Sequence, residues 1–183
     1  MTMRAPLLIR AAETAARAHA GQCRKGGDVP YILHPLEVAR LVAEDGWGEP
    51  VVVAALLHDV VEDSDASLGD IADAFGAEVA GLVEALTDTP ELATLDRPER
   101  KRRQAAHIAA APPAARAIKL ADQTSNIRDL ARLPDGWDAA SARAYLAGTA
   151  LVADACRDAA PGLAALYDAA AAQARATARP AEE

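Results

Sequence analysis

Aromatic side chains are almost missing from this chain, which has one phenylalanine, three tyrosines and two tryptophans in 183 residues. Sheet proteins draw on aromatic and β-branched residues, whereas the apolar residues here are mostly alanine, then leucine and valine, a composition suited to close-packed helices. Cysteine is scarce as well: Cys23 and Cys156 stand far apart without a CxxC pair, which argues against a zinc knuckle or disulfide framework and leaves two ordinary reduced thiols. A net charge of −8 argues against nucleic acid or an anionic membrane as partner, so any anionic ligand must be held by a local basic cluster. No apolar run is long enough to span a membrane, and Leu7-Leu8-Ile9 turns polar too soon for a signal peptide. A cytoplasmic location is expected.

What is present is enough apolar material, 51% of residues, for one domain with its own core. The expectation is an all-α bundle of about 8–10 helices over residues 1–176, with 177–183 a flexible tail. Periodicity and punctuation predict helices from Pro6 to about His19, from Pro35, from Pro50 to about Glu62, from Ser67 to near Gly76 and from Glu78 to Leu86. Ser67 with Asp70 three residues on reads as a capping-box variant. After a proline-bearing loop over 87–98 comes the basic run Arg100-Lys101-Arg102-Arg103. Helical spacing there would turn one or two of the four toward a ligand and the rest to solvent. Pro112-Pro113 opens a long helix to about Leu133, Trp137-Asp138 precedes another, and Pro161 begins the last. Alanine-rich helix faces permit a homodimer.

The most informative stretch is AALLHDVVED at 54–63. Between Val51 and Val61 only His58 and Asp59 are polar, so the helix is apolar nearly all round and belongs in the core. An unpaired buried charge costs several kcal/mol or is neutralised, so a metal ion or a tight polar network is expected there. Taken alone, the string also fits a satisfied core histidine followed by a solvated acidic helix end. Two further donors favour the metal. His34 precedes Pro35 at a helix entrance, and Asp122 lies in the buried-looking IKLADQTSNIRDL, with Asn126 one turn on. Two imidazoles and two carboxylates suit Mn²⁺, Fe²⁺ or Zn²⁺ better than Ca²⁺ or Mg²⁺. Glu62 and Asp63 follow one turn after His58 and Asp59, where a carboxylate could take the proton of a water, an arrangement fit for metal-assisted hydrolysis.

The ordered set His34, His58-Asp59 and Asp122 resembles the H…HD…D signature of the HD-domain metal-dependent phosphohydrolases. Arg24-Lys25, PYILHP at 30–35, AALLHDVVED, FGAEVAGLVEALT at 75–87 and KLADQTSNIRDL at 119–130 fall in order over roughly residues 10–150 and are similar to the hydrolase domain of RelA/SpoT proteins and the stand-alone small alarmone hydrolases. The resemblance implies hydrolysis of the 3′-pyrophosphate of guanosine tetra- or pentaphosphate, usually with Mn²⁺. It implies His34, His58, Asp59 and Asp122 as metal ligands and Glu62 and Asp63 as the residues that position and activate water. Arg24, Lys25, Asn126, Arg128 and, at the pocket border, Tyr145 are implied to hold the nucleotide. Arg128 could equally pair with an acid.

One departure bears on substrate. Gln123 stands where family members commonly carry Lys or Arg, and Thr124-Ser125 is more polar than usual. An adenosine alarmone, or another nucleotide such as NADPH, is the alternative substrate, and a non-catalytic metal-holding module the alternative class.

Overall fold

The computed structural model describes residues 5–25, 27–132 and 137–177. Among them there are ten α-helical segments and no strand: α1 (Ala5–Ala18), α2 (Leu33–Glu44), α3 (Glu49–Leu57), α4 (Val60–Asp63), α5 (Leu68–Phe75), α6 (Ala77–Leu86), α7 (Arg97–Ala109), α8 (Pro113–Arg128), α9 (Ala139–Asp154) and α10 (Pro161–Thr177). Short 3₁₀ segments follow α6 at Pro90–Thr94 and α8 at Asp129–Arg132. The all-α expectation therefore holds. The expected flexible tail lies, from residue 178 on, outside the described residues.

Local chemistry sets most boundaries. Ser67 accepts from the Asp70 N–H while the Asp70 carboxylate accepts from the Ser67 N–H, the reciprocal pair that starts α5. Asp96 and Asp138 likewise cap α7 and α9 by accepting from the N–H groups of Glu99 and Ser141. Helix α2 begins at Leu33, earlier than Pro35, because turn bonds from Leu33 N–H to Pro30 O (3.2 Å) and from His34 N–H to Tyr31 O (2.8 Å) start it before the proline. Pro35 is tolerated within that first turn, where its missing N–H is no loss.

The centre of the bundle is α3, whose residues Val51 to Leu57 are all buried. It packs against α1, α2, α6 and α8, while α8 also packs on α2 and α10, and α7 lies along α9. The expected helix from Pro50 to Glu62 is broken at His58-Asp59. The imidazole Nδ1 of His58 donates to Ala55 O at 2.8 Å, the carbonyl that an unbroken helix would reserve for the Asp59 N–H. Helical bonding resumes with Asp63 N–H to Asp59 O at 3.0 Å. The break leaves the two ionisable residues at the inner end of the core helix rather than part-way along it.

A second feature of the packing joins α2 to α10. Trp47 Nε1 donates to Asp45 Oδ2 at 3.0 Å, and this holds the Asp45 carboxylate against the first turn of α10, where a Cβ on Gly162 would collide with Asp45 Oδ1. A carboxylate beside a helix N-terminus is favourable. Glycine-to-alanine changes inside helices usually stabilise, by roughly 1 kcal/mol. Because the atom in the way is the end of an exposed side chain, Gly162→Ala is expected to displace the Asp45 carboxylate and to gain less than that in denaturant unfolding. The same change in an Asp45→Ala background should give the full gain.

Candidate metal centre and cavity

Three helices and the loop before α2 bring the chemistry together. From α2, His34 Nε2 lies 3.5 Å from Asp59 Oδ2 and 3.3 Å from Asp122 Oδ1, the latter contributed by α8. At the end of α3, His58 Nε2 lies 3.1 Å from Asp59 Oδ2, and the two imidazoles meet edge-on with centroids 5.1 Å apart. Donor atoms of His34, His58 and Asp59 all fall within 4.8 Å of one another. His34, His58 and Asp122 are buried and Asp59 nearly so.

These residues fit a divalent cation. Because a carbonyl only accepts, the Ala55 contact puts the hydrogen of His58 on Nδ1 and aims Nε2 at the carboxylates, where it is buried with no hydrogen-bond partner. An orphaned imidazole nitrogen facing two carboxylates is a ligand set for a borderline metal. Burial disfavours the imidazolium, but Asp59 and Asp122 outweigh it and lift the His58 pKa to about 9. Burial likewise works against both carboxylates, yet the His58 charge for Asp59 and the Lys119 charge for Asp122 hold their pKa values well below the usual range.

Beyond this set opens a cavity of about 320 Å³. Glu62 lies on its wall, accepting from the Asp88 N–H, and the loss of water around it in the recess pushes its pKa up to about 7. Asp63 is not part of the lining. It turns toward His19, whose Nδ1 is 3.9 Å from Asp63 Oδ2, since successive residues of a helix point about 100° apart.

Cations line the same cavity. The loop over 21–31 closes as a small hairpin, with Arg24 N–H on Val29 O at 2.8 Å and Tyr31 N–H on Gln22 O at 2.9 Å, and so brings Arg24 and Lys25 to the cavity. Arg24 is spent on Asp129, at 2.6 Å, and on Ser125 O. Lys25 has its pKa lowered by burial and by Arg97, Arg100 and Arg24. Of the basic run on α7, Arg100 and Lys101 line the cavity, while Arg102 and Arg103 bond Glu99 on the exposed face. Lys101 passes over Gly148, where an added Cβ would lie 3.1 Å from Lys101 Cγ, and burial lowers its pKa to about 8. Among the described residues, Lys25, Arg97, Arg100 and Lys101 make no ion pair.

Asn126 and Tyr145 also line the cavity; Asn126 donates to Asp122, and Tyr145 forms an edge-on pair with Trp137 while Arg97 lies 5.9 Å over each ring. Arg128 is outside the lining. Its guanidinium is tied to Glu37 on α2, which draws it to the far side of α8.

Several participants escaped the sequence reading. The Tyr31 hydroxyl donates to Asp59 Oδ2 at 2.7 Å, and burial together with Asp59 holds its pKa far above the ordinary value, so it remains a donor. Lys119 Nζ sits 3.3 Å from Asp122 Oδ2, and Gln123 Nε2 donates to the same oxygen at 2.9 Å. Lys119 thus sets a cation beside Asp122 one helical turn before Gln123. The i, i+3 spacing of Lys119 and Asp122 was the available signal.

Comparison with known proteins now decides the family. Residues 11–147 match the HD domain family. The chain belongs to that family. Among its relatives, the guanosine-3′,5′-bis(diphosphate) 3′-pyrophosphohydrolase MESH1 of Homo sapiens is 42% identical over 156 residues, covering 83% of this chain and 86% of that protein. A guanosine-3′,5′-bis(diphosphate) 3′-pyrophosphohydrolase of Aquifex aeolicus is 38% identical over 121 residues, 66% of this chain and 17% of that longer protein. A solved structure described as a metazoan orthologue of SpoT that hydrolyzes ppGpp superposes with a TM-score of 0.85 at 35% identity, covering 94% of this chain and 98% of that one. The likeness to RelA/SpoT-type hydrolases expected from the motifs is therefore borne out. As in the rest of the HD-domain bundle, no helix among the described residues is long and apolar enough to cross a membrane.

The His58 pKa has a consequence for metal binding. The ring is protonated below about 9, and a bound ion needs the Nε2 lone pair, so binding must expel that proton. Apparent affinity for a divalent ion is expected to rise roughly tenfold per pH unit from 7 toward 9. Calorimetry at pH 7 in buffers of different ionisation enthalpy should read about one proton released by this residue.

Proposed function

We propose that this HD-domain protein is a hydrolase that removes the 3′-pyrophosphate of guanosine tetra- or pentaphosphate, giving GDP or GTP and pyrophosphate. One observation carries the reading: a single cavity is lined both by Asp59 and Asp122 of the buried His-Asp set and by Lys25, Arg97, Arg100 and Lys101, which make no ion pair among the described residues. A nucleotide bearing phosphates at two positions presents anionic groups at two ends, which is the charge pattern such a cavity complements. The named activity of relatives similar in length to this chain supports the same reading.

His34, His58, Asp59 and Asp122 are proposed to hold one divalent ion, Mn²⁺ by family likeness. When bound, the ion supplies Lewis acidity and offsets phosphate charge. The remaining work belongs to the protein's own groups. Glu62, with a pKa raised to about 7 and a place on the cavity wall, takes the proton of the attacking water. Asp63, which turns away from the cavity, is assigned the lesser role of supporting that carboxylate. As the water oxygen bonds to phosphorus, the bond to the ribose 3′ oxygen breaks, the 3′ oxygen takes up a proton, and pyrophosphate leaves. Lys25, Arg100 and Lys101 hold phosphate charge in a recess where such contacts gain strength from the exclusion of water. Asn126 and Tyr145 border the nucleoside. Residues 1–176 are proposed to form the functional domain, acting in the cytoplasm.

The test is product analysis with the Mn²⁺-loaded protein on guanosine and adenosine 3′-pyrophosphates and NADPH, with His58→Ala as control. Pyrophosphate release from the guanosine compounds, dependent on metal and on His58, is expected. Release of orthophosphate alone would redirect the reading to a general nucleotide phosphatase. Glu62→Gln is expected to lower kcat by about 10²–10⁴-fold with Mn²⁺ binding retained. Turnover unaffected by that change would remove Glu62 from the chemistry.

A further inference from the structure

The two imidazoles of the centre are oriented by different means. A backbone carbonyl fixes His58, whereas His34 Nδ1 meets a side chain, Ser125 Oγ, at 3.0 Å. Ser125 Oγ in turn lies 2.7 Å from Glu37 Oε2, one helical turn beyond His34 on α2. Glu37 Oε1 receives the Arg128 guanidinium, and Arg40 stands 3.7 Å away. Ser125 is 1% exposed, so no solvent molecule can stand in for its hydroxyl.

The protons in this chain are determined by its far end. A hydroxyl has one hydrogen to give, and an ion-paired carboxylate only accepts. The Ser125 hydrogen therefore goes to Glu37, and the free lone pair of Oγ must accept from His34. That places a hydrogen on Nδ1 and directs Nε2 toward Asp59 and Asp122. We infer that Arg128, Glu37 and Ser125 form a relay that fixes the tautomer and orientation of His34, making them positioning residues for the metal centre. Arg128 then acts on the metal site through Glu37 rather than on the nucleotide. The inference rests on the reading of His34 as a metal ligand.

Outer partners of ligating imidazoles typically govern affinity by 10–100-fold, and the test reads affinity directly. Mn²⁺ binding is measured by electron paramagnetic resonance of the free ion, together with Tm of the metal-free protein and KM for guanosine tetraphosphate at saturating Mn²⁺. Ser125→Ala is expected to raise the Mn²⁺ Kd by about 10–100-fold, and Ser125→Thr, which keeps a hydroxyl, to restore it. Glu37→Gln keeps the shape of the side chain but reverses the relay. With Arg128 on the amide oxygen, the amide nitrogen must donate to Ser125, and the hydroxyl hydrogen is turned toward His34 Nδ1. Its Kd should rise as much as that of Ser125→Ala, with metal-free Tm unchanged. Arg128→Gln should raise Kd and leave KM alone.

An unchanged Kd in Ser125→Ala and Glu37→Gln would overturn the relay and leave the metal reading standing. A raised KM with unchanged Kd in Arg128→Gln would return that residue to the nucleotide and overturn its part in the relay. Binding equally weak in the wild type and in His58→Ala would overturn both readings.

Discussion

Everything around the centre answers to one constraint, the removal of two imidazoles and two carboxylates from water at the end of an apolar helix. Charges of this kind need partners for their polar atoms, and the surrounding elements supply all but that of His58 Nε2, which is left facing the carboxylates. Ala55 O orients His58, Ser125 orients His34, Tyr31 donates to Asp59, and Lys119, Gln123 and Asn126 all converge on Asp122. The His58 bond to Ala55 also interrupts the helix, so the same contact that aims the imidazole sets the geometry of the chain around it. Without a cation the cluster is held by the His58 proton, which shares its carboxylates with whatever ion the site takes.

A second balance concerns sign of charge. The chain carries a net charge of −8, yet six cations, Arg24, Lys25, Arg97, Arg100, Lys101 and Lys119, line the cavity. This concentration is possible because neighbouring acids are engaged with other partners. Glu99 occupies Arg102 and Arg103 on the outer face of α7, leaving Arg100 and Lys101 to the inner face. Arg24 and Lys119 are neutralised by Asp129 and Asp122 and act as struts. An overall acidic protein can therefore receive a polyanion at this cavity.

Much of the fold was legible because its signals are local. The Ser67-Asp70 capping box, Asp138 before α9, and the prolines at 113 and 161 act within one turn of chain and mark helix ends wherever the helices go. The membership of His34, His58, Asp59 and Asp122 in one cluster was legible for a different reason: polar residues placed in apolar runs require partners, and few others were available. The interruption at His58-Asp59 was not legible, since it depends on a side-chain bond competing with a backbone one. Glu62 and Asp63, about 100° apart as neighbours on a helix, part company, one to the cavity and the other toward His19.

The sequence by itself determined that this is a helical protein with buried polar residues and a nearby basic loop, because composition, periodicity and the cost of buried charge act on residue type alone, and its ordered motifs carried the resemblance to the HD-domain family. Only the tertiary structure decided which of the four successive basic residues on α7 face the cavity, that Lys119 pairs with Asp122, and that Arg128 belongs to Glu37 and not to the lining. Those choices turn on distances between helices α2, α7, α8 and α9. A hydrogen bond or ion pair forms or fails over about an ångström, which residue spacing along one chain does not specify.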